Sequence, residues 1–249
     1  MIICKSSAEI EKLRRSGRMV RQVLGEIREQ VQAGVTTLDL EKFVAKRLKD
    51  LGARPAFKGY RGYPCCLCAS VNDAVIHGIP SERHTLKEGD ILSLDMGVIL
   101  DGYYGDSAIT VPVGFISEPA QRLLKVTEEA LELALDKARL GNRLGDISAT
   151  VQQHAEKNGY SVVREFVGHG IGKAMHEEPQ IPNFGQPGHG PLLKEGMVFA
   201  IEPMVNAGGP AVRVLDDNWT AVTVDGKLSA HFEHMVAVTH NGPDVLTRL

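Results

Sequence analysis

The sequence contains little that would point to a nucleic acid or a membrane as its partner. Acidic residues slightly outnumber basic ones, 31 to 28, and the net charge of -3 comes without the clustered basic excess of a nucleic-acid-binding domain. No stretch approaches the roughly 20 apolar residues of a membrane span, and the start of the chain has no basic segment followed by an apolar run. We therefore expect a cytoplasmic protein with no nucleic-acid and no membrane partner.

Cysteine and tryptophan are also scarce. Three of the four cysteines cluster at Cys65, Cys66 and Cys68, but thiolate zinc sites usually use paired CxxC motifs, so we interpret them as free thiols in a reducing compartment. Trp219 is the only tryptophan. Apolar residues at 43 % and charged residues at 24 % match an ordinary globular protein, which excludes extensive disorder.

Helix signals occur in the same order in both halves of the chain. Ser6 and Glu9 form a capping-box pattern, and apolar residues follow at helical spacing until Gly34. A second helix is predicted to begin with Thr37 as its N-cap and to end at Gly52. Two further helices are predicted in the second half, at 117–141 and at about 144–159.

A doubled motif shows that the chain is a two-fold repeat. The string "LKEG" occurs at 86–89 and at 193–196, an offset of 107 residues that also relates glycines and acids of the predicted helices. Nine residues after each leucine stands an acid, Asp95 in the first copy and Glu202 in the second.

The repeat predicts the fold class and the domain organisation. Two units of helix, helix and strands most simply pack with their strands joined into one sheet and their helices on the outer face. We therefore predict an α+β fold with pseudo-two-fold symmetry. No flexible linker separates the halves, about 6–113 and 117–241, so residues 1–249 are predicted to form one domain.

The segment "SLDMGVILDGYYGDSAITVPV" predicts a β-hairpin with a two-residue Asp-Gly turn at 101–102. In that register Asp95 faces Ala108 and Asp106 faces Gly97. The two acids then lie on the same face as diagonal neighbours, roughly 7 to 8 Å apart at the backbone.

Two acids of the second half also lie in apolar segments, Glu202 in "VFAIEPMV" and Glu233 in "AHFEHMVAV". Buried charges are normally paired or bound to metal. We therefore interpret these two glutamates, together with Asp95 and Asp106, as metal ligands rather than as residues of a solvated face.

Histidines extend the repeated pattern. The string "HGI" occurs at His77 and at His169, so each half contains one such histidine and two acids. His176 follows seven residues after His169, in a glycine-rich segment that favours a loop or a turn in a sheet over a helix. The other six histidines, such as His154 and His240, are interpreted as ordinary core or surface residues.

Four carboxylates with one or more imidazoles suit a pair of hard or borderline divalent ions, namely Mn, Fe, Co or Zn. Two such ions, roughly 3.5 to 4 Å apart, can share a bridging water and convert it into a nucleophile, as in aminopeptidases and phosphatases. A phosphate substrate would favour basic residues or a glycine-rich helix start near the acids, and none occurs with the right spacing.

Five segments together resemble the type I methionine aminopeptidases of bacterial kind, and the similarity covers essentially the whole chain. They are "NDAVIHGIP", "LDMGVILDGYYGDSAIT", "GHGIGKAMHEEPQ", "AIEPMV" and "HFEHMVAVT". The resemblance implies the "pita-bread" fold, with a curved antiparallel sheet and helices on its outer face. It also implies removal of the initiator methionine from nascent proteins whose second residue is small.

The resemblance assigns roles to individual residues. It implies that the two ions are held by Asp95, Asp106, His169, Glu202 and Glu233, with Asp106 and Glu233 bridging both. A bridging hydroxide would attack the scissile carbonyl, with Glu202 moving the proton. The other two histidines would contact substrate rather than metal, His176 stabilising the oxyanion and His77 orienting the scissile amide.

By the same resemblance, the methionine side chain enters an apolar slot formed by Tyr60, Tyr63, Cys68 and Trp219. The chain departs from its relatives at Met175, where an aromatic residue is common, and at Ile76, where a cysteine is common. Both substitutions leave the chemistry intact and bear on the shape of the slot.

Two other interpretations remain open at this point. A prolidase or proline aminopeptidase would share all five ligands, although those enzymes usually carry an additional N-terminal domain. A non-catalytic binding protein on the same scaffold would be expected to have lost ligands. We expect nascent polypeptide N-termini as partners and a monomeric state; ribosome contact is compatible with such a role, but no motif indicates it.

Overall fold

The computed structural model describes all of residues 1–249 and contains four α-helices, two in each half of the chain. They are α1 (Ser7–Arg28), α2 (Thr37–Asp50), α3 (Glu118–Leu135) and α4 (Leu144–Lys157). Ser6 caps α1 through the capping box predicted from the sequence, since its side chain accepts from the backbone N–H of Glu9 and Glu9 binds back to Ser6. Each half of the chain thus begins with two helices followed by strands.

The helices end earlier than the sequence pattern predicted. Helix α1 ends at Arg28 rather than near Gly34, and α3 ends at Leu135 rather than near Gly141. Gly34 instead forms part of the connection to α2, with φ +91° and its N–H donating to the carbonyl of Leu86 at 2.8 Å. The N–H of Gly34 therefore bonds a distant segment of the chain instead of a carbonyl of α1.

The N-cap of α2 is Thr36, and the prediction of Thr37 was wrong by one residue. The hydroxyl of Thr36 accepts from the N–H of Asp39 at 3.1 Å. The Thr37 hydroxyl donates to the carbonyl of Ser81 at 3.1 Å, so a tertiary contact takes the side chain that the sequence suggested as the cap. Helix α4 ends at Lys157, two residues before the predicted glycine.

The first half contributes five strands and a single turn of 3₁₀ helix, Tyr60–Gly62. The strands are β1 (Arg54–Pro55), β2 (Leu67–Val71), β3 (Ala74–Ile76), β4 (Ile91–Leu100) and β5 (Tyr103–Pro112). Strands β4 and β5 form the predicted hairpin, with Asp95 opposite Ala108 and Asp106 opposite Gly97. Positive φ at both turn residues, 51° and 79°, confirms the type I′ turn.

The second half contributes ten strands, none longer than six residues. They are β6 (Ser161–Val162), β7 (Val167–Gly170), β8 (Glu177–Pro182), β9 (Val198–Ile201), β10 (Met204–Asn206), β11 (Val212–Val214), β12 (Ala221–Thr223), β13 (Ser229–His231), β14 (His234–Thr239) and β15 (Gly242–Val245). All the strand pairs of the molecule are antiparallel.

The strands divide into four hydrogen-bonded sheets, where the sequence suggested one joined sheet. The hairpin sheet of the first half meets the five-stranded sheet β15-β14-β9-β7-β8 through an isolated bridge between Ala108 and Glu233. Side-chain hydroxyls supply other bonds at this seam: Ser107 donates to the carbonyl of Glu233 and Thr110 to that of His231, each at 2.7 Å. Hydroxyl groups thus replace part of the ladder where the halves join.

The helices of each half pack mainly against the strands of the same half, and α1 also contacts strands of the second half through Leu13. Helices α1 and α2 bury Leu24 and Leu40 against Leu94 of the hairpin. Helices α3 and α4 bury Leu131 and Ile147 in one core with Phe199 of the second sheet. These two cores fix the positions of the strands that carry the acids. No helix is both long enough and apolar enough to span a lipid bilayer.

Candidate active site

One cavity of about 260 Å³ is lined by every residue that the sequence predicted as a metal ligand or a substrate contact. The metal-ligand candidates in its wall are Asp95, Asp106, His169, Glu202 and Glu233. The substrate-contact candidates in its wall are Tyr60, Tyr63, Cys68, His77, His176 and Trp219. Strands from both halves of the repeat therefore face a single site.

Three potential ligand atoms lie closest together in this cavity. One atom each from Asp106, His169 and Glu233 lies within 4.8 Å of the other two, and all three residues are buried. Asp106 comes from the hairpin and His169 from β7, while Glu233 lies at the bridge that joins the halves. This spacing would let one cation contact all three side chains.

The remaining two acids lie in the same wall. Nε2 of His169 is 3.7 Å from Oδ2 of Asp106 and 3.6 Å from Oε1 of Glu202. Asp95 lies on the face of the hairpin that carries Asp106, as the confirmed register requires. The five candidates thus surround one volume from both halves.

Unpaired oxygens show that these carboxylates fit a cation. Asp95 Oδ1, Asp106 Oδ1 and Glu233 Oε1 are buried and accept no hydrogen bond from the protein. Buried polar atoms without a partner are rare, and a bound ion is one of their ordinary explanations. Oxygen atoms with one imidazole nitrogen form a donor set suited to Mn, Fe, Co or Zn.

The pKa values of these side chains also indicate a cation site. Burial raises the pKa of Asp95 to about 8, and burial together with the neighbouring carboxylates raises the pKa of Asp106, Glu202 and Glu233. So many buried carboxylates cannot all ionise without a compensating positive charge. Burial also lowers the pKa of His169 to about 3, which leaves the imidazole neutral, as a metal ligand must be.

His176 and His77 lie beside the carboxylate cluster. His176 follows β7 in a loop, as the glycines predicted, and its Nδ1 lies 2.7 Å from the hydroxyl of Tyr60. The ring of His77 meets the rings of Phe166 and Trp219 edge-on, with centroids 5.5 and 5.9 Å away. Both imidazoles therefore have fixed orientations toward the cavity.

Aromatic side chains form the apolar wall. Trp219 packs edge-on against Tyr63 with ring centroids 5.0 Å apart, and the Tyr63 hydroxyl donates to the carbonyl of Leu67 at 2.9 Å. Cys68 stands opposite Asp95 on the paired strand and is buried. Met175 and Ile76 also line the cavity, so both departures from the related sequences lie in its wall.

Several residues of the site were missed from the sequence. Phe57, Arg61 and Phe166 line the cavity. His231, interpreted above as an ordinary core or surface histidine, is buried with Nε2 unpaired and 3.7 Å from Oε2 of Glu202. Its position two residues before Glu233 was the available signal, because alternate residues of an extended segment share a face.

Comparison with known proteins agrees with this geometry. The model of metallopeptidase family M24 matches residues 11–240. The chain belongs to this family. Within M24, it is 51 % identical over 247 residues to a methionine aminopeptidase of Clostridium perfringens, covering 99 % of each chain. It is 51 % identical over 249 residues to methionine aminopeptidase 1 of Bacillus subtilis, covering all of both chains.

Solved structures of the M24 family confirm the fold class. The crystal structure of a methionine aminopeptidase from Thermotoga maritima matches with a TM-score of 0.98 and 47 % identity, over 100 % of both chains. A prolidase from Pyrococcus furiosus matches with a TM-score of 0.81 and 24 % identity, over 99 % of this chain and 66 % of the prolidase. At that identity the prolidase shows the shared fold alone. The resemblance inferred from the five segments is confirmed.

Proposed function

We propose that this chain is a metal-dependent methionyl aminopeptidase that removes the initiator methionine from nascent proteins whose second residue is small. The observation that carries the proposal is the cavity itself, in which buried carboxylates with unpaired oxygens lie beside an aromatic wall. Its similar relatives from two bacteria bear the name methionine aminopeptidase. Membership of a metallopeptidase family and the donor set of the cavity support the same reaction class.

The residues that would hold the divalent metal are Asp95, Asp106, His169, Glu202 and Glu233. The tight grouping of Asp106, His169 and Glu233 supports this assignment. When bound, divalent ions supply a nucleophile from water at neutral pH and polarise a carbonyl. Two ions, rather than one, would offset the charge of four buried carboxylates.

The side chains would divide the remaining chemistry among them. Glu202 accepts the proton released as water attacks the carbonyl carbon and then donates it to the departing amine, which is general base and acid catalysis by one group. His176 donates from Nε2 to the oxyanion that develops on the carbonyl oxygen, a contact often worth roughly 3 kcal/mol. His77 orients the scissile amide.

The slot explains a preference for methionine. Sulfur contacts aromatic edges favourably, and the rings of Tyr63 and Trp219 meet edge to face at the cavity wall. The slot would also use Tyr60 and Cys68, both of which line the cavity. These apolar surfaces would accept the uncharged thioether of methionine.

Both halves supply ligand candidates to one cavity, so we infer that residues 1–249 act as a single catalytic domain. The expected monomeric state, the cytoplasmic location and contact with the ribosome stay predictions. Nascent N-termini are the proposed substrates.

A peptide panel tests the proposed function. Protein stripped of metal and reloaded with Mn(II) or Co(II) should release methionine from Met-Ala-Ser and Met-Gly-Ser and should leave Leu-Ala-Ser and Met-Leu-Ser largely intact. The Glu233→Ala variant, which loses a proposed metal ligand, serves as the blank for contaminating peptidases. Cleavage of Ala-Pro peptides without release of methionine would instead identify a proline-directed enzyme on the same fold.

A further inference from the structure

His231 lies beside the carboxylate to which the proposed function gives the proton. Its Nε2 is 3.7 Å from Oε2 of Glu202, while Nε2 of His169 is 3.6 Å from Oε1 of the same carboxylate. Glu202 therefore lies between two imidazoles, one at each oxygen. His169 is a proposed ligand, and His231 has no role in the scheme above.

The position of His231 is set by both halves of the protein. Its N–H donates to Oγ1 of Thr110 at 2.9 Å, and the hydroxyl of Thr110 donates to its carbonyl at 2.7 Å. It pairs across strands with Met204, which follows Glu202 by two residues. A side chain whose backbone is held on both sides can orient a neighbour closely.

The unpaired nitrogen of His231 is the second observation. The residue is 1 % exposed, and Nε2 has no hydrogen-bond partner. A neutral imidazole ring carries one proton, on either Nδ1 or Nε2. A carboxylate oxygen as the nearest acceptor favours that proton on Nε2, because a neutral imidazole has one donor and one acceptor nitrogen.

We propose that His231 is a positioning residue for Glu202, donating from Nε2–H to Oε2 and holding the carboxylate so that Oε1 faces the cavity. The proposal rests on the proposed function, in which Glu202 both binds metal and moves the proton. The separation of 3.7 Å is longer than a hydrogen bond. Catalytic hydrogen bonds are often long without substrate and tighten in the reacting complex.

Loss of the His231 N–H donor should affect catalysis through its effect on Glu202. Removing an outer partner of a metal-ligating group typically lowers metal affinity or activity about 10- to 100-fold. We expect kcat to fall by about that factor while KM for a methionyl peptide changes little, because His231 does not line the cavity that receives the substrate.

Two substitutions at His231 distinguish the effect of its hydrogen-bond donor from the effect of its side-chain volume. His231→Gln keeps an N–H donor on a side chain of comparable reach, and His231→Leu fills the space without a donor. His154→Leu is the matched control, because this partly buried histidine bonds Glu129 at 3.1 Å between helices α3 and α4 and lies outside the cavity. For each protein the experiment measures kcat and KM on Met-Ala-Ser, Mn(II) affinity by calorimetry, and Tm.

The expected result is loss of kcat and of Mn(II) affinity in His231→Leu, substantial recovery of both in His231→Gln, and normal values in His154→Leu. If His231→Leu does not fold, His231→Asn, whose amide is too short to reach, takes its place. Equal impairment of the Gln and Leu variants with matching losses of Tm would show a purely structural role and overturn the proposal, as would unchanged kcat in both. A wild-type protein without methionine release would refute the proposed function, and the calorimetric comparison would still test the positioning of Glu202.

Discussion

The hydroxyl of Tyr60 lies 2.7 Å from Nδ1 of His176, and this contact sets what the imidazole offers to the cavity. If the hydroxyl donates to Nδ1, the single proton of the neutral ring resides on Nε2. That tautomer presents an N–H donor on the side of the ring opposite Tyr60. Tyr60 would thus act on catalysis through His176 as well as through the wall of the methionine slot.

Tyr60→Phe removes the hydroxyl and keeps the ring. We expect kcat on Met-Ala-Ser to fall by about tenfold, because a fraction of His176 then adopts the wrong tautomer or rotates, which weakens a contact worth roughly 3 kcal/mol. KM should change less, since the aromatic wall remains. Tyr160→Phe, at a tyrosine outside the cavity, is the control, and a kcat equal to that of wild type in both variants would rule out this role of the hydroxyl.

Lys5 should stabilise the loop that carries His176. Its ammonium group bonds the carboxylate of Glu177, which also accepts from the N–H of Ala174 at 3.2 Å, and the two side chains are only 4 % and 10 % exposed. Removing one partner of a buried ion pair typically lowers the free energy of unfolding by about 3 to 5 kcal/mol.

The prediction for Lys5→Met is a loss of that size in urea unfolding, because the charge of Glu177 is left buried and unpaired. The double variant Lys5→Met with Glu177→Gln should regain much of the loss, since no unpaired charge remains. The exposed Lys12→Met should be nearly neutral. A Lys5→Met protein as stable as wild type would show that the pair contributes little.

Gly105 permits the close packing of helix α1 on the hairpin. A Cβ at this position would lie 2.5 Å from the carbonyl carbon of Ser16, whereas a Cβ at Gly25, on the same helix, would meet nothing within 4 Å. Gly105→Ala should therefore lower the free energy of unfolding by about 1 to 3 kcal/mol through overpacking. Gly25→Ala should raise it by up to about 1 kcal/mol through helix propensity. Thermal unfolding of both variants tests whether the two substitutions change stability in opposite directions.

The acids make stability depend on pH and on metal together. The pKa of Asp95 is raised from 3.8 to about 8 in the folded protein, so between those values the folded state binds more protons than the unfolded state. The contribution of this group to stability is then fully present below about pH 4 and is lost as the pH rises through about 8. Divalent ions bind the ionised carboxylates, so their stabilisation grows over the same range.

Tm measured with a chelator should therefore fall as the pH is raised through neutrality, whereas the gain in Tm from added Mn(II) should increase. Asp95→Asn, which cannot ionise, should flatten the first trend and reduce the second. A gain in Tm that does not change with pH would be inconsistent with cation binding by these acids.

The sequence predicted those parts of the structure that depend on local periodicity and on pairs related by the repeat. The Asp-Gly turn specified the hairpin register and hence the shared face of Asp95 and Asp106. Helix ends were misplaced where a tertiary hydrogen bond decided the outcome, as for Gly34 with Leu86. His231 was missed because its proximity to Glu202 depends on the pairing of β13 with β10, and its spacing from Glu233 indicated only a shared face, not that contact.

The most direct test of the central claim titrates Mn(II) into metal-stripped protein and records bound metal and methionine release in the same samples. Wild-type protein should bind two ions, with activity appearing as they bind, and Asp106→Ala and Glu233→Ala should lose both metal and activity. Methionine release that persists in the stripped protein, or at an unchanged rate in Glu233→Ala, would contradict the account.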